Sequence, residues 1–232
     1  MTVLNGKYVE ITPSYIKETL ALSNSAAVLA ALNLSEDDFD SAKAYSKDIY
    51  NTITGSIANI EKVEFSGKKA QFVVIKTQDN EGPAHAVVVD VLGEDGVTSR
   101  YVAINEKVEK VSDEVLEDGF QQAIADGLKH DENFVPLSSK LDEMAEKALP
   151  FCISGYRHCG PGCGDGLTFG GGTPVNRLDS CCQAHDRCWS AFGANNACCD
   201  KEICRCALAN RGVNEAVSDM ISTTFIANAN RC

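Results

Sequence analysis

The sequence predicts two units of different class: an α+β module (helices plus a small antiparallel sheet) over 1–133, then an all-α, disulfide-stapled helical domain over 134–232. Three observations predict this. None of the eleven cysteines precedes Cys152. Residues 1–151 hold 14 Lys and Arg against 26 Asp and Glu, whereas 152–232 hold 7 against 7, so the net charge of −12 belongs to the first unit. The apolar periodicity also changes along the chain, from helical to alternating and back to helical. With 44% hydrophobic residues in 232, there is enough apolar material for one or two cores.

The first unit opens on "SYIKETLALSNSAAVLAALN", where Ile16, Leu20, Val28, Leu29 and Leu32 fall at helical spacing and Ser and Asn suggest a break near Ser23. A second helix is expected in "SEDDFDSAKAYSKDIYNTI". Ser35 and the acids after it read as a cap and first turn, and Phe39, Ala42, Tyr45, Ile49 and Ile53 share a face. Then "KVEFSG", "AQFVVIKT", "HAVVVDVLG" and "SRYVAINEK" are short β-branched runs parted by turns such as "NEGP" and "GEDG", an antiparallel sheet of three or four strands. His85 and His130 stand alone and read as structural or solvated. The acidic excess is a solvated face, and no nucleic-acid partner is expected from it. After Pro136, "SSKLDEMAEKAL" predicts a capped helix with the stripe Leu141, Met144, Ala145, Ala148 and Leu149, ended by Pro150; it leads into the cysteines, so the boundary falls near residue 134.

Eleven cysteines within about 80 residues point to disulfides in an oxidising compartment, hence a secreted protein. A reduced metal cluster is disfavoured because no CxxC is matched by a second CxxC or HxxxH at finger spacing. An odd number leaves at least one thiol free or bridged to another chain. The start "TVLNGKYVEITPSY" has neither the basic residues nor the apolar run of a signal peptide, so the signal is expected to be missing from this chain or export to use another route. No run of 18 apolar residues occurs, so membrane contact is expected at the surface only.

The densest chemistry lies in "LDSCCQAHDRCWSAF". On a helix, Cys181, His185 and Cys188 share a face, with Asp186 about 100° further round. "CCDKEICRCALANR" follows after the turn "GANNA", and its Cys199 and Cys206 are likewise two turns apart. An antiparallel hairpin of these helices can be bridged Cys181 to Cys206 and Cys188 to Cys199, because both bridges then fall at matching heights. His185 then points into the seam, where Asp200 is better placed than Glu202 to hold its tautomer and stabilise its charged form, as a general base requires. The plain alternative is a buried spacer histidine and a solvated aspartate. Upstream, "GYRHCGPGCGDG" has five glycines and a proline in twelve residues. Such a loop cradles an anion or turns its carbonyls around a hard cation; Asp186 nearby favours the cation, and calcium over magnesium for so irregular a shell. Cys159 can tie this loop to Cys182.

These residues resemble the secreted phospholipase A2 family, with a C-G-x-G calcium loop and D-x-C-C-x-x-H-D-x-C, here "CGPG" at 159–162 and "DSCCQAHDRC" at 179–188. The resemblance covers roughly 138–232. It implies His185 as the base that activates water, Asp200 as the aspartate that orients it, Asp186 with the carbonyls of His158, Gly160 and Gly162 as calcium ligands, and the Gly160 N–H at the oxyanion. It further implies hydrolysis of the sn-2 ester of a glycerophospholipid at a membrane or micelle surface, and the three bridges above are the family's own. Trp189 stands where the family has tyrosine, and only 15 positions separate His185 from Asp200, so the β-hairpin of the venom and pancreatic enzymes is expected to be missing, as in the compact microbial and plant type. Leu141, Met144, Ala148, Leu149, Phe151, Ile153 and Trp189 are candidates for an acyl channel, Cys152, Cys163, Cys198, Cys204 and Cys232 stay unassigned, and "VNEAVSDMISTTFIANA" predicts a last helix that Cys232 could pin. The alternative to an enzyme is a non-catalytic lipid- or protein-binding toxin-like module on the same scaffold. Residues 1–133 are expected to bind the helical domain as a pro-segment, with a targeting module or intramolecular chaperone as alternatives.

Overall fold

The computed structural model describes residues 2–51, 56–79, 82–114, 131–138, 152–167 and 169–232. The first unit is mostly sheet: seven antiparallel strands in chain order, β1 (Thr2–Tyr8), β2 (Ser41–Asn51), β3 (Ser56–Ser66), β4 (Ala70–Asp79), β5 (Gly82–Leu92), β6 (Thr98–Ile104) and β7 (Lys107–Glu114). Two helices, α1 (Pro13–Leu20) and α2 (Ser23–Leu32), lie between β1 and β2. The second unit contains α3 (Arg177–Phe192), α4 (Ala197–Ala209) and α5 (Glu215–Ala229). Apart from Ser138, the helix expected over 138–149 lies outside the described residues, as do His130 and the stripe from Leu141 to Phe151.

The break expected near Ser23 falls at Ala21–Leu22, between α1 and α2. Thr12 caps α1 by accepting from the Tyr15 N–H at 3.2 Å, with Pro13 at the first helical position. Asn33 ends α2 in the left-handed conformation at φ 52°.

The helix expected over 35–53 is a strand. Its start signal is real but serves one turn: Ser35 and Asp38 form a capping box around a short 3₁₀ helix, Glu36–Asp38. Phe39 then packs against Phe65 and Phe72, with ring centroids 5.6 Å away in each case. The chain pairs with β3 in unbroken register from Ser41↔Ser66 to Asn51↔Ser56. Ala42 and Ala44 face the α1–α2 side and Ile49 the other, while Ser46 and Asp48 are buried with Asn59, whose amide donates to Ser46 Oγ at 3.1 Å and Asp48 Oδ1 at 3.0 Å. Eleven paired residues along β3 outweigh a local helical spacing.

Both faces of the sheet are apolar and both are covered. One carries Val63, Phe65, Phe72, Val74, Val87 and Val89 under α1 and α2. The other carries Ile60, Val73, Ile75, Ala86, Val88 and Val102, and packs against Cys204 and Leu208 of α4 and Ile226 and Ala229 of α5. Each large aliphatic side chain removed from water here contributes about 1.5–3 kcal/mol. Charges rim this contact. Lys62 Nζ lies 3.0 Å from both Glu215 and Asp219, and Arg211 reaches Asp219 through Nε at 3.0 Å and pairs with Glu215 through Nη2. Arg100 grips Asp90 at 2.6 and 2.7 Å and reaches the Ala209 carbonyl at 3.4 Å. Burial works against the Asp219 carboxylate, but Arg211 and Lys62 outweigh it and hold its pKa below the usual range. Burial pulls the Lys47 ammonium down, with Asp219 partly offsetting. Residues 131–138 also belong to the sheet side: Phe134 is buried, the Asp131 N–H donates to the Gly6 carbonyl at 3.0 Å and the Leu137 N–H to Asp48 at 2.9 Å.

Candidate active site and cation loop

α3 and α4 run antiparallel as a stapled hairpin. Asn176 caps α3 through the Asp179 N–H at 2.9 Å, and Gly193, at φ 97°, ends it. Asn196 caps α4 through the Cys198 and Cys199 N–H groups at 3.1 and 3.2 Å. Cys181 is bridged to Cys206, Cys188 to Cys199, and Cys159 ties the glycine loop to Cys182. Two further bridges, Cys152–Cys163 and Cys198–Cys232, take four of the cysteines that spacing left open, and the second fastens the end of the chain beyond α5 to the start of α4. Cys204 is free and fully buried.

Inside the hairpin seam, His185 Nε2 meets Asp200 Oδ1 at 2.7 Å, both residues nearly sealed from solvent. Glu202 is directed elsewhere, to Arg205 at 2.9 Å. With Nε2 committed to Asp200, Nδ1 is the nitrogen left to exchange a proton. The imidazole packs into the corner of two aromatic rings, Trp189 at 4.4 Å and Phe225 at 4.5 Å between centroids, which meet each other edge-on at 5.8 Å. The Trp189 indole N–H donates to Asp200 Oδ1 at 2.9 Å, so the ring standing in the tyrosine position supplies a donor. Asn228 of α5 donates to Asp200 Oδ2 at 2.8 Å. Neither Asn228 nor Phe225 had a local signal in the sequence beyond the apolar spacing of the last helix.

The glycine loop is anchored by Asp179, a fully buried carboxylate that accepts from the N–H groups of Arg157 at 3.0 Å, His158 at 2.8 Å and Val175 at 2.9 Å. The stretch "GLTFGGGTPVNR" folds back over this loop. The Gly164 N–H donates to the Phe169 carbonyl at 2.9 Å, Phe169 N–H to Gly162 at 3.1 Å, and Gly171 N–H to Arg157 at 2.8 Å. Gly170 cannot carry a side chain, since a Cβ there would lie 2.0 Å from the Arg157 carbonyl oxygen. The His158 ring is buried and meets the Gly172 carbonyl at 2.9 Å.

Asp186 lies beside the loop with Oδ2 buried and without a hydrogen-bond partner among the described residues. A Cβ on Gly164 would stand 2.6 Å from that oxygen, so the loop closes on it because the residue is glycine. Burial pushes the Asp186 carboxyl up to about 7, His158 opposes this, and Asp165 and Asp179 add to it. Gly160 and Gly162 have φ of 128° and 76°, conformations that L side chains rarely adopt. Their carbonyls accept from Cys163 and Phe169 N–H groups, at 3.1 Å each, which leaves a second lone pair on each oxygen. Among the described residues no three His, Cys, Asp or Glu side chains converge on a metal position, so a cation here would rely on one carboxylate and on carbonyls. That donor set, with an orphaned buried carboxylate oxygen, fits calcium.

Loop and helices enclose a pocket of 310 Å³ with mostly apolar walls, including Ile153, Leu167, Ile203, Met220, Ile221 and Phe225, and with His185 and Asp186 opening into it. Among the described residues, none from the sheet lines it. Leu167, Phe169 and Phe192, in the loop and at the end of α3, are exposed, Phe192 to 72%. No helix among the described residues is long and apolar enough to cross a membrane.

Over 61 residues the chain is 39% identical to the acidic phospholipase A2 Bc-PL of Bungarus candidus, which covers 25% of this chain and 41% of that protein. A match of the same extent and identity links it to the acidic phospholipase A2 KBf-grIB of Bungarus fasciatus. It is 44% identical over 41 residues to the acidic phospholipase A2 homolog taipoxin gamma chain of Oxyuranus scutellatus scutellatus, covering 18% of this chain and 22% of the other. The chain thus spans less than half the length of these relatives. No family model matches the chain, and no solved structure does. What the similarities identify is a phospholipase A2-like region within a longer chain.

Proposed function

We propose that the chain is a calcium-dependent phospholipase A2 that hydrolyses the sn-2 ester of glycerophospholipids to a fatty acid and a lysophospholipid. The single observation that carries this is the 2.7 Å His185–Asp200 pair facing a mostly apolar 310 Å³ pocket that also holds the orphaned Asp186 carboxylate. An acyl chain would lie along Ile203, Ile221 and Phe225. His185 Nδ1 takes a proton from water as the water oxygen attacks the ester carbonyl, and Asp200 stabilises the imidazolium that forms. When the intermediate collapses, the carbonyl carbon–oxygen bond to the glycerol breaks and the imidazolium returns the proton to the leaving oxygen. The Gly160 N–H is the donor assigned to the oxyanion. Asp186 and the carbonyls of His158, Gly160 and Gly162 would hold the calcium, which when bound polarises the ester carbonyl and shares the oxyanion charge. The exposed Leu167, Phe169 and Phe192 would meet the lipid surface, and five disulfides suit a secreted protein.

The test is fatty-acid release from phospholipid mixed micelles, with calcium or with chelator. Calcium-dependent release from the sn-2 position, reduced at least about a hundredfold by His185→Gln, is expected. No release with the disulfides intact would move the reading to a non-catalytic binding module on the same scaffold. The pro-segment role suggested for residues 1–133 is tested in the same assay by nicking between Asp131 and Phe151: a gain in activity supports it, and unchanged or lower activity removes it.

A further inference from the structure

Asp200 takes its donors from two sources. His185 and Trp189 belong to α3, inside the stapled hairpin, whereas Asn228 belongs to α5, which no disulfide joins to the hairpin along its length. The Asn228 amide nitrogen has two hydrogens and both are used: one donates to Asp200 Oδ2 at 2.8 Å, the other to the Asn195 carbonyl at 2.8 Å, in the turn between α3 and α4 where Asn195 holds φ 60°. The amide orientation is therefore defined, since a flip would set its oxygen against two acceptors. One turn earlier, Phe225 lies against the His185 ring. Ile226, two residues before Asn228, and Ala229, directly after it, are fully buried in the core that includes Ile75, Ala86 and Val88 of the sheet.

We propose that Asn228 is a positioning residue for the His185–Asp200 pair, and that the sheet, by seating α5, is part of what holds that pair in register. Asp200 Oδ1 is shared by histidine and indole; Oδ2 has Asn228, so the torsion of the carboxylate is set by a residue whose own place is set from the sheet side. Loss of the Asn228 donor leaves the carboxylate held at Oδ1 alone, with Oδ2 unpaired, and loosens the imidazole it orients. The proposal rests on the hydrolase reading above and deepens it.

The test compares Asn228→Ala and Asn228→Asp in the full chain. The isosteric aspartate removes the donor and sets a second carboxylate against Asp200, so it is the more damaging of the two if Asn228 acts on that group. If Asn228 only fills space, it is the milder. Expected are a fall in kcat of about tenfold for Ala and about a hundredfold for Asp, with KM within twofold, and a shift in the emission of Trp189, the single tryptophan, in both. Both variants with kcat within twofold of the parent, Asp no worse than Ala, or a change confined to KM would overturn it. If Asn228→Asp does not fold, the split between kcat and KM in Asn228→Ala decides. If the parent itself releases no fatty acid, the hydrolase reading fails separately, and Trp189 emission still decides: a shift in the folded variants supports a hold on Asp200, and an unchanged spectrum overturns it.

Discussion

The sheet and the stapled helices solve the same problem with opposite means. The sheet has no cysteine before Cys152 and is held by two apolar faces, each with its own cover. The helical part has a small core of its own, built around Leu178, Ile203, Ala207 and Ile221, and five disulfides. Its large apolar residues Leu208 and Ile226 are spent on the sheet. A small core that gives part of its apolar surface to a neighbour needs covalent help, while a broad sheet covered on both sides does not.

The largest expected effect is from reduction. Dithiothreitol should abolish any fatty-acid release and the near-ultraviolet signal of Trp189 while the far-ultraviolet β signal persists; if the sheet melts at the same concentration, the two parts are one cooperative unit. Next is Ile226→Ala, at a residue wholly shielded from solvent. It should cost about 2–5 kcal/mol by denaturant unfolding, and an effect under about 0.5 kcal/mol would mean the sheet contact contributes little. Arg211→Ala leaves Asp219 facing Glu215 with Lys62 as its paired counter-charge and Lys47 acting from further away. Roughly 1–3 kcal/mol is expected, lessened by salt if the rim is as wet as its partial exposure suggests.

The smallest effect is with pH. Arg211 and Lys62 overcome the burial of Asp219 and depress its pKa, so its stabilising contribution is present above the unfolded value of about 4 and is lost as pH falls through the lower folded value. Burial also lowers the pKa of His85, so its share is present above about 6.5 and falls below that. Between about pH 7 and 4 the His85 share is opposed by Asp186, whose raised carboxyl is relieved of its burial penalty as it protonates, so the diagnostic step is the fall in Tm below about pH 4, which Arg211→Ala should flatten.

What could be read from the chain followed the range of the forces involved. β3 to β6 showed in their β-branched runs, and the hairpin partners Cys181, Cys206, Cys188 and Cys199 showed in helical spacing, because both patterns are local. β2 was hidden since Phe39, Ala42, Tyr45 and Ile49 satisfy a helical stripe equally well, and only pairing with β3 decides. The anchoring by Asp179 was hidden because its partners are backbone N–H groups of Arg157 and His158, which carry no sequence label. Asn228 was hidden for a different reason: its meaning depends on a sheet more than a hundred residues away.

Cys204 gives this arrangement a clock. The one free thiol is sealed in the core shared by α4, α5 and the sheet, and burial raises its pKa well above the usual value, so it is inert while that core stays closed. A thiol reagent can therefore react only in the moments when the core opens, and the rate of labelling counts those openings without any probe being introduced. The unpaired cysteine makes the hold of the sheet on the helices a quantity that can be timed in the unmodified protein.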